Sequence, residues 1–296
     1  MLSNVNCVHE ITLLRSHHPR ILRSSRPSVT SPLHIQAIML DWAGTTVDHG
    51  SMAPVLALQT LFAKHGVTLS TEDARRNMGL LKRDHIAAIL ALPNITEKWK
   101  SITGREPGEA EVLSLFEEFG PLQMEIIALH SQLIPGIAQV VKSWQSRGIR
   151  IGSTTGYTRK MLAPVLAQAA QHGFEPDASV CPDEVGGGRP APWMLMKNAQ
   201  LLEVYPPTTC VKIGDTVVDM EEGRNAGMWT IGLTRTGNLV GLDSEQWAQL
   251  PAATKKVQLD HAKKILIEAG ADYVAEDLAS CNHALAKIER RLRNGK

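Results

Sequence analysis

The chain has 296 residues, 43% hydrophobic and 21% charged, with 31 basic against 30 acidic side chains and a formal net charge of +1. That length supports a sizeable core in one large domain or two smaller ones. The charge balance gives no global field towards nucleic acid or a membrane surface, and no apolar run is long enough to span a bilayer. The four cysteines, Cys7, Cys181, Cys210 and Cys281, are dispersed without a CxxC pair. This argues against a zinc site or a disulfide framework and fits a reducing cytoplasm.

Residues 1–34 are basic and Ser-rich. Arg15, Arg20, Arg23 and Arg26 lie among Ser16, Ser24, Ser25 and Ser28, and Glu10 is the one acid. A transit peptide, a disordered tail or a start codon placed too far upstream would share this composition. A disordered extension is the preferred reading, because composition alone is weak evidence for targeting. The apolar run IQAIML then predicts a buried strand, closed by the turn residues of DWAGTTVD, Asp41–Asp48.

From about Ser51 to Leu133 the pattern is helical. SMAPVLALQTLFAKHG stops at Gly66, and TEDARRNMGLLKRDHIAAILAL runs from a capping-type Thr71 to the residue before Pro93. EAEVLSLFEEFGPLQMEIIALHSQL is expected to break at Gly120–Pro121. After Pro135–Gly136 helices and strands alternate to the C-terminus, through the strands IRIGSTT, ASVCP, CVKIGDT, MWTIGLTR and ADYVAEDL. Such alternation predicts an α/β fold: a Rossmann-like parallel sheet core with helices on both faces. An inserted all-helical cap would occupy 51–133, and the core would be 35–50 and 134–296.

Ligands of open parallel sheets sit at the carboxyl ends of strands. Asp41, Thr154, Thr155, Asp183 and Asp215 all fall there, which suggests one shared site. Asp41 can act as a nucleophile or merely cap a turn. Asp215 and Asp219, in GDTVVD, suit a hard cation such as Mg²⁺ or cap a helix. Thr155 and the backbone N–H groups after it can hold a phosphoryl oxygen. Arg189, after Gly186–Gly188, can neutralise one or be a plain surface arginine. On the predicted second helix, Met78, Lys82 and His85 are spaced i, i+4 and i+7. A helix lysine is normally solvated, but apolar neighbours and the adjacent Arg83 favour a neutral amine, which can form a Schiff base.

DWAGTTVD, STTG, GGGRPAPW and GDTVVDMEEGRNAG together resemble the four motifs of the haloacid dehalogenase superfamily, over nearly all of the chain from Ile35. In phosphatases of that superfamily an acid two residues after the nucleophile protonates the leaving alkoxide. Here that position is Ala43. With Lys82 in a helical insert, the pattern resembles the phosphonatase branch, which has DxAGT and a Schiff-base lysine. The resemblance implies hydrolysis of the C–P bond of phosphonoacetaldehyde to acetaldehyde and phosphate, in degradation of 2-aminoethylphosphonate. It implies Asp41 as nucleophile, Lys82 as the imine-forming amine and His85 relaying protons. Met78, Thr155, Gly156, Tyr157 and Arg189 would surround the substrate. Asp41, the Ala43 carbonyl, Asp215 and Asp219 would form the Mg²⁺ site, and the protein would be a homodimer. Trp42 is read as packing rather than pocket wall. Three alternatives stand beside this reading. A Mg²⁺-dependent phosphate-ester phosphatase is opposed by Ala43. A metal-independent halocarboxylate dehalogenase leaves the Asp215/Asp219 pair unexplained. A non-enzymatic binding module with a decayed site is opposed by the intact Asp41, Lys82 and Asp215.

Overall fold

The computed structural model describes residues 34–295, so the expectation for the N-terminal extension lies, apart from His34, outside the described residues. Six strands pair in one parallel sheet: β1 (Ala37–Leu40), β2 (Arg150–Thr154), β3 (Ala178–Val180), β4 (Cys210–Gly214), β5 (Trp229–Leu233) and β6 (Tyr273–Ala275). Their order is β3-β2-β1-β4-β5-β6. All four residues of β1 are buried. That is why the strand reads as a continuous apolar run rather than an alternating one: helices cover both faces. The covering helices are α6 (Ile137–Gln145), α7 (Arg159–Gln171), α8 (Trp193–Leu201), α9 (Val217–Asn225), α11 (Ala252–Glu268) and α12 (Asn282–Arg293), and the short α10 (Ser244–Gln249) packs its Trp247 with Ala262 of α11. The strand order reverses at β1, and such a reversal opens a crevice at the carboxyl ends of the strands. Register fills it: Leu40 pairs with Ser153 and Ile213, so Asp41 leaves β1 beside Thr154 and next to the Gly214–Asp215 turn.

Between β1 and β2 lie α1 (Met52–Lys64), α2 (Thr71–Arg75), α3 (Lys82–Leu90), α4 (Pro93–Thr103) and α5 (Glu109–His130). The long α5 packs on both α1 and α3, burying Leu58, Leu61, Phe62, Leu115 and Phe119 among them. Entry to the insert is capped from outside. Ser51 adopts a left-handed φ of 52° and makes no side-chain cap, while the Asp48 carboxylate accepts from the Ala53 N–H at 2.8 Å.

Three expectations for this block are corrected. The predicted helix 71–92 is two helices, because the backbone turns left-handed at Asn77 and Gly79, and the N-cap is Ser70 rather than Thr71. Met78 therefore lies in the turn before α3 and not on one helix face with Lys82 and His85. The predicted break at Gly120–Pro121 does not occur: Pro121 sits inside a continuous α5, held by Phe119 and Leu122 buried on either side. Finally, α4 was not among the predicted helices; outside this block, neither was α10.

Candidate active site

Four carboxylates meet at the strand ends. Asp41 follows β1, Asp215 follows β4, and Asp219 and Glu222 lie on the first turns of α9. All four are buried, and oxygens of Asp41, Asp215 and Asp219 lie within 4.8 Å of one another. Two cations sit among them. Arg189 Nη2 donates to Asp41 Oδ1 at 2.7 Å and to Thr154 Oγ1 at 2.8 Å, and Nε donates to Glu222 Oε2 at 3.0 Å. Its Nη1 lies 3.0 Å from Asp219 Oδ1. Lys212, projecting from the middle of β4, reaches Thr154 Oγ1, Asp219 Oδ1 and Glu222 Oε2 at 2.7, 2.9 and 3.1 Å. Burial opposes the charge on Arg189, but Asp219, Asp41 and Glu222 together hold it above the ordinary guanidinium pKa.

The remaining acids respond to this unevenly. Burial pushes Asp219 up, yet Arg189 and Lys212 bring it below the ordinary carboxylate value. Its oxygens are committed, one facing both cations and the other accepting from Thr216 N and Oγ1 at 3.2 and 2.5 Å. Burial and the neighbouring Asp41 and Asp219 charges push Asp215 far up. Asp41 is also raised, by burial first, with Arg189 opposing. Asp219 and Glu222 thus face the two cationic side chains, while Asp41 and Asp215 resist a further buried negative charge. The donor set is hard oxygen throughout, so the residues present fit a hard divalent cation.

Lys82 faces this cluster from the first turn of α3. It is 3% exposed and lines one small cavity with Asp41, Ala43, Met78, Tyr157 and Arg189. Burial lowers its pKa to about 8, Asp41 opposing that change and Arg189 adding to it. Its Nζ lies 3.8 Å from Met78 Sδ and 5.8 Å from the centroid of the Tyr157 ring. The turn before Lys82 is seated by close backbone approach. A Cβ on Gly79 would lie 2.6 Å from both Thr216 Oγ1 and Val218 Cγ2, and one on Gly156 would lie 2.7 Å from the Leu80 carbonyl oxygen. Only glycines let the insert and the core meet this closely.

A model of the haloacid dehalogenase-like hydrolases matches residues 35–227. The chain is 40% identical over 259 residues to a phosphonoacetaldehyde hydrolase of Bacillus cereus (strain B4264), covering 88% of this chain and 98% of that protein. It is 42% identical over 261 residues to a phosphonoacetaldehyde hydrolase of Nitratidesulfovibrio vulgaris, covering 88% and 93%. A crystal structure of a phosphonoacetaldehyde hydrolase-like protein from Oleispira antarctica superposes with a TM-score of 0.87 at 40% identity, covering 90% of this chain and 96% of that one. The chain belongs to the phosphonoacetaldehyde hydrolase family of haloacid dehalogenase-like hydrolases.

Within this hydrolase, most of the residues expected at the site from sequence converge. Met78, Gly156, Tyr157 and Thr155 line the cavity with Asp41, Ala43, Lys82 and Arg189. Thr155 Oγ1 accepts the Tyr157 N–H at 3.1 Å, which leaves its hydroxyl proton free to donate. Trp42 is fully buried with its ring edge on Phe174 at 5.3 Å, so it is packing, as read. His85 does not line the cavity. It is buried, and burial with the Lys82 charge pushes its pKa down to about 3, the Arg76 and Ala74 backbone opposing. Asp183 is not part of the site: it is exposed and accepts the Arg159 N–H at 3.0 and 3.1 Å, capping α7. Sequence reading missed Lys212 and Glu222. The signal for the first was a lysine inside the apolar strand CVKIG. Glu222 carried none, since glutamates are ordinary on helices.

Proposed function

We propose that this enzyme hydrolyses the C–P bond of phosphonoacetaldehyde to acetaldehyde and phosphate, using Lys82 and Asp41 as its two covalent groups. One observation carries the reading: a buried lysine with a depressed pKa faces a buried aspartate across a cavity where Ala43 stands instead of an acid. The neutral Lys82 amine would condense with the aldehyde, taking up one proton from solvent, releasing water and forming an iminium. Asp41 would then attack phosphorus as the C–P electron pair moves towards the iminium nitrogen. The products are an aspartyl phosphate and an enamine on Lys82. No alkoxide leaves, so alanine suffices at 43. Protonation of the enamine carbon and hydrolysis release acetaldehyde and restore Lys82, and water releases phosphate from Asp41. Arg189 Nη2 faces the attacking carboxylate, where it can turn to a phosphoryl oxygen, and the Thr155 hydroxyl would bind another.

Asp41, the Ala43 carbonyl and Asp215 would hold Mg²⁺, oriented by Asp219; when bound, it supplies neutralising charge to the phosphoryl group. The insert 51–133 would act as a cap that excludes water around Lys82, and His85 would exchange protons with Lys82 only through water. The protein would work as a cytoplasmic homodimer on a small phosphonate, with no nucleic-acid or membrane partner. Cys181, Cys210 and Cys281 are all buried free thiols, and among the described residues no helix is long and apolar enough to cross a membrane. Phosphorus NMR with Mg²⁺ tests the activity. The phosphonate signal should be replaced by inorganic phosphate with equimolar acetaldehyde, while phosphate monoesters stay intact. Turnover of monoesters in preference to the phosphonate would overturn the proposal.

A further inference from the structure

Arg75 ends α2 in the helical insert, yet its guanidinium is spent on the core. Nη1 donates to the Gly50 carbonyl at 2.8 Å and to Asn238 Oδ1 at 3.0 Å. Nη2 donates to the Gly241 carbonyl at 3.0 Å and lies 3.1 Å from Met52 Sδ. Each of these hydrogen-bond partners is neutral, so the direct contacts use the rigid fork of arginine. The Asp48 and Asp215 charges favour the guanidinium without a direct hydrogen bond to it. The receiving loop is shaped around it: Gly241 has a φ of 65°, and a Cβ there would lie 2.6 Å from Arg75 Nε.

The same loop holds the site. The Asn238 N–H donates to Asp215 Oδ2 at 2.7 Å. Thr236 Oγ1 donates to the Gly44 carbonyl at 2.7 Å, and the Gly50 N–H donates to the Thr236 carbonyl at 2.7 Å. A Cβ on Gly237 would lie 2.5 Å from Asp215 Cβ. One guanidinium thus joins the insert, the segment that enters it and the loop against which Asp215 rests.

We infer that Arg75 is a positioning residue, which fixes Asp215 for metal binding through Asn238 and makes that fixing depend on the seating of the insert. This rests on the reading of Asp215 as a ligand of the divalent ion. Groups that hold a metal ligand from behind are worth roughly ten- to a hundredfold in affinity.

The test is Mg²⁺ titration calorimetry on the free enzyme, with no substrate present. Arg75→Lys keeps the charge and loses the fork, and should weaken Mg²⁺ binding about tenfold. Arg75→Met should weaken it as well, although it removes a positive charge near the site. Asn238→Ala retains the N–H donated to Asp215 and loses the side-chain link to Arg75, leaving only the long 3.4 Å contact from Arg75 Nη1 to the Asn238 carbonyl. It should match Arg75→Lys, and the double variant should be no worse than either. Amide hydrogen exchange of residues 236–241 without metal should quicken in each variant. If Arg75→Lys binds Mg²⁺ as the parent does while Arg75→Met binds more tightly, Arg75 acts through charge alone and the inference is wrong. Additive losses would remove Asn238 from the path. A parent enzyme that binds no Mg²⁺ would instead defeat the metal reading, and unchanged loop exchange would then defeat the positioning role separately.

Discussion

Replacing Lys82 by methionine should destroy activity and stabilise the fold at neutral pH. The side chain is 3% exposed, and its pKa falls from 10.5 to about 8. At about 1.36 kcal/mol per pH unit, the gap makes the charged amine a burden of roughly 3 kcal/mol on folding. Below pH 8 the amine is protonated in both folded and unfolded chains, and the whole penalty applies. Between 8 and 10.5 the folded chain has lost the proton while the unfolded chain keeps it, so the penalty shrinks as pH rises. Above 10.5 both are neutral and it vanishes. The methionine side chain would fill nearly the same space without a charge. Urea denaturation with EDTA present should therefore show Lys82→Met about 3 kcal/mol more stable than the parent at pH 7, with the two converging near pH 10.5. A variant equally or less stable at pH 7, or a difference that ignores pH, would refute the account of a lysine held at an energetic cost for its nucleophilicity.

The neutral amine is the species that condenses with the aldehyde, so kcat/KM measured by coupled acetaldehyde reduction should rise with pH through an apparent value of about 8. Gly79→Ala would push a methyl group against Thr216 and Val218 at a φ of 93°. By unseating Lys82, it should cost about a hundredfold in kcat/KM, while far-ultraviolet circular dichroism stays unchanged. Glu222→Gln removes one carboxylate from between Arg189 and Lys212. Urea melts should show a loss of roughly 3 kcal/mol, and phosphate release should fall with it.

The sheet was legible because parallel strands buried on both faces must be apolar runs, and Asp41, Thr154 and Asp215 each stood where such a run stopped. The same rule misled at Asp183, where a strand-end carboxylate serves as a helix cap. Helical spacing in 71–92 concealed the turn at Asn77–Gly79, because Met78 and Ile86 are apolar for different reasons, one facing a cavity and the other a helix core. Pro121 looked like a terminator, but tertiary packing carries α5 through it. The charge network around Arg189 was beyond reach of any local pattern. Glu222 pairs with it from α9, and Lys212 shares Asp219, Glu222 and Thr154 with it from β4, and these meet only after the sheet has formed.

Borohydride trapping followed by peptide mass spectrometry reads the Lys82 imine itself. With phosphonoacetaldehyde and Mg²⁺ present, Lys82 should carry a stable two-carbon adduct, and no adduct should form in the absence of substrate. Phosphate release under the same conditions with Lys82 unmodified would contradict this, leaving Asp41 to cleave the substrate without an imine.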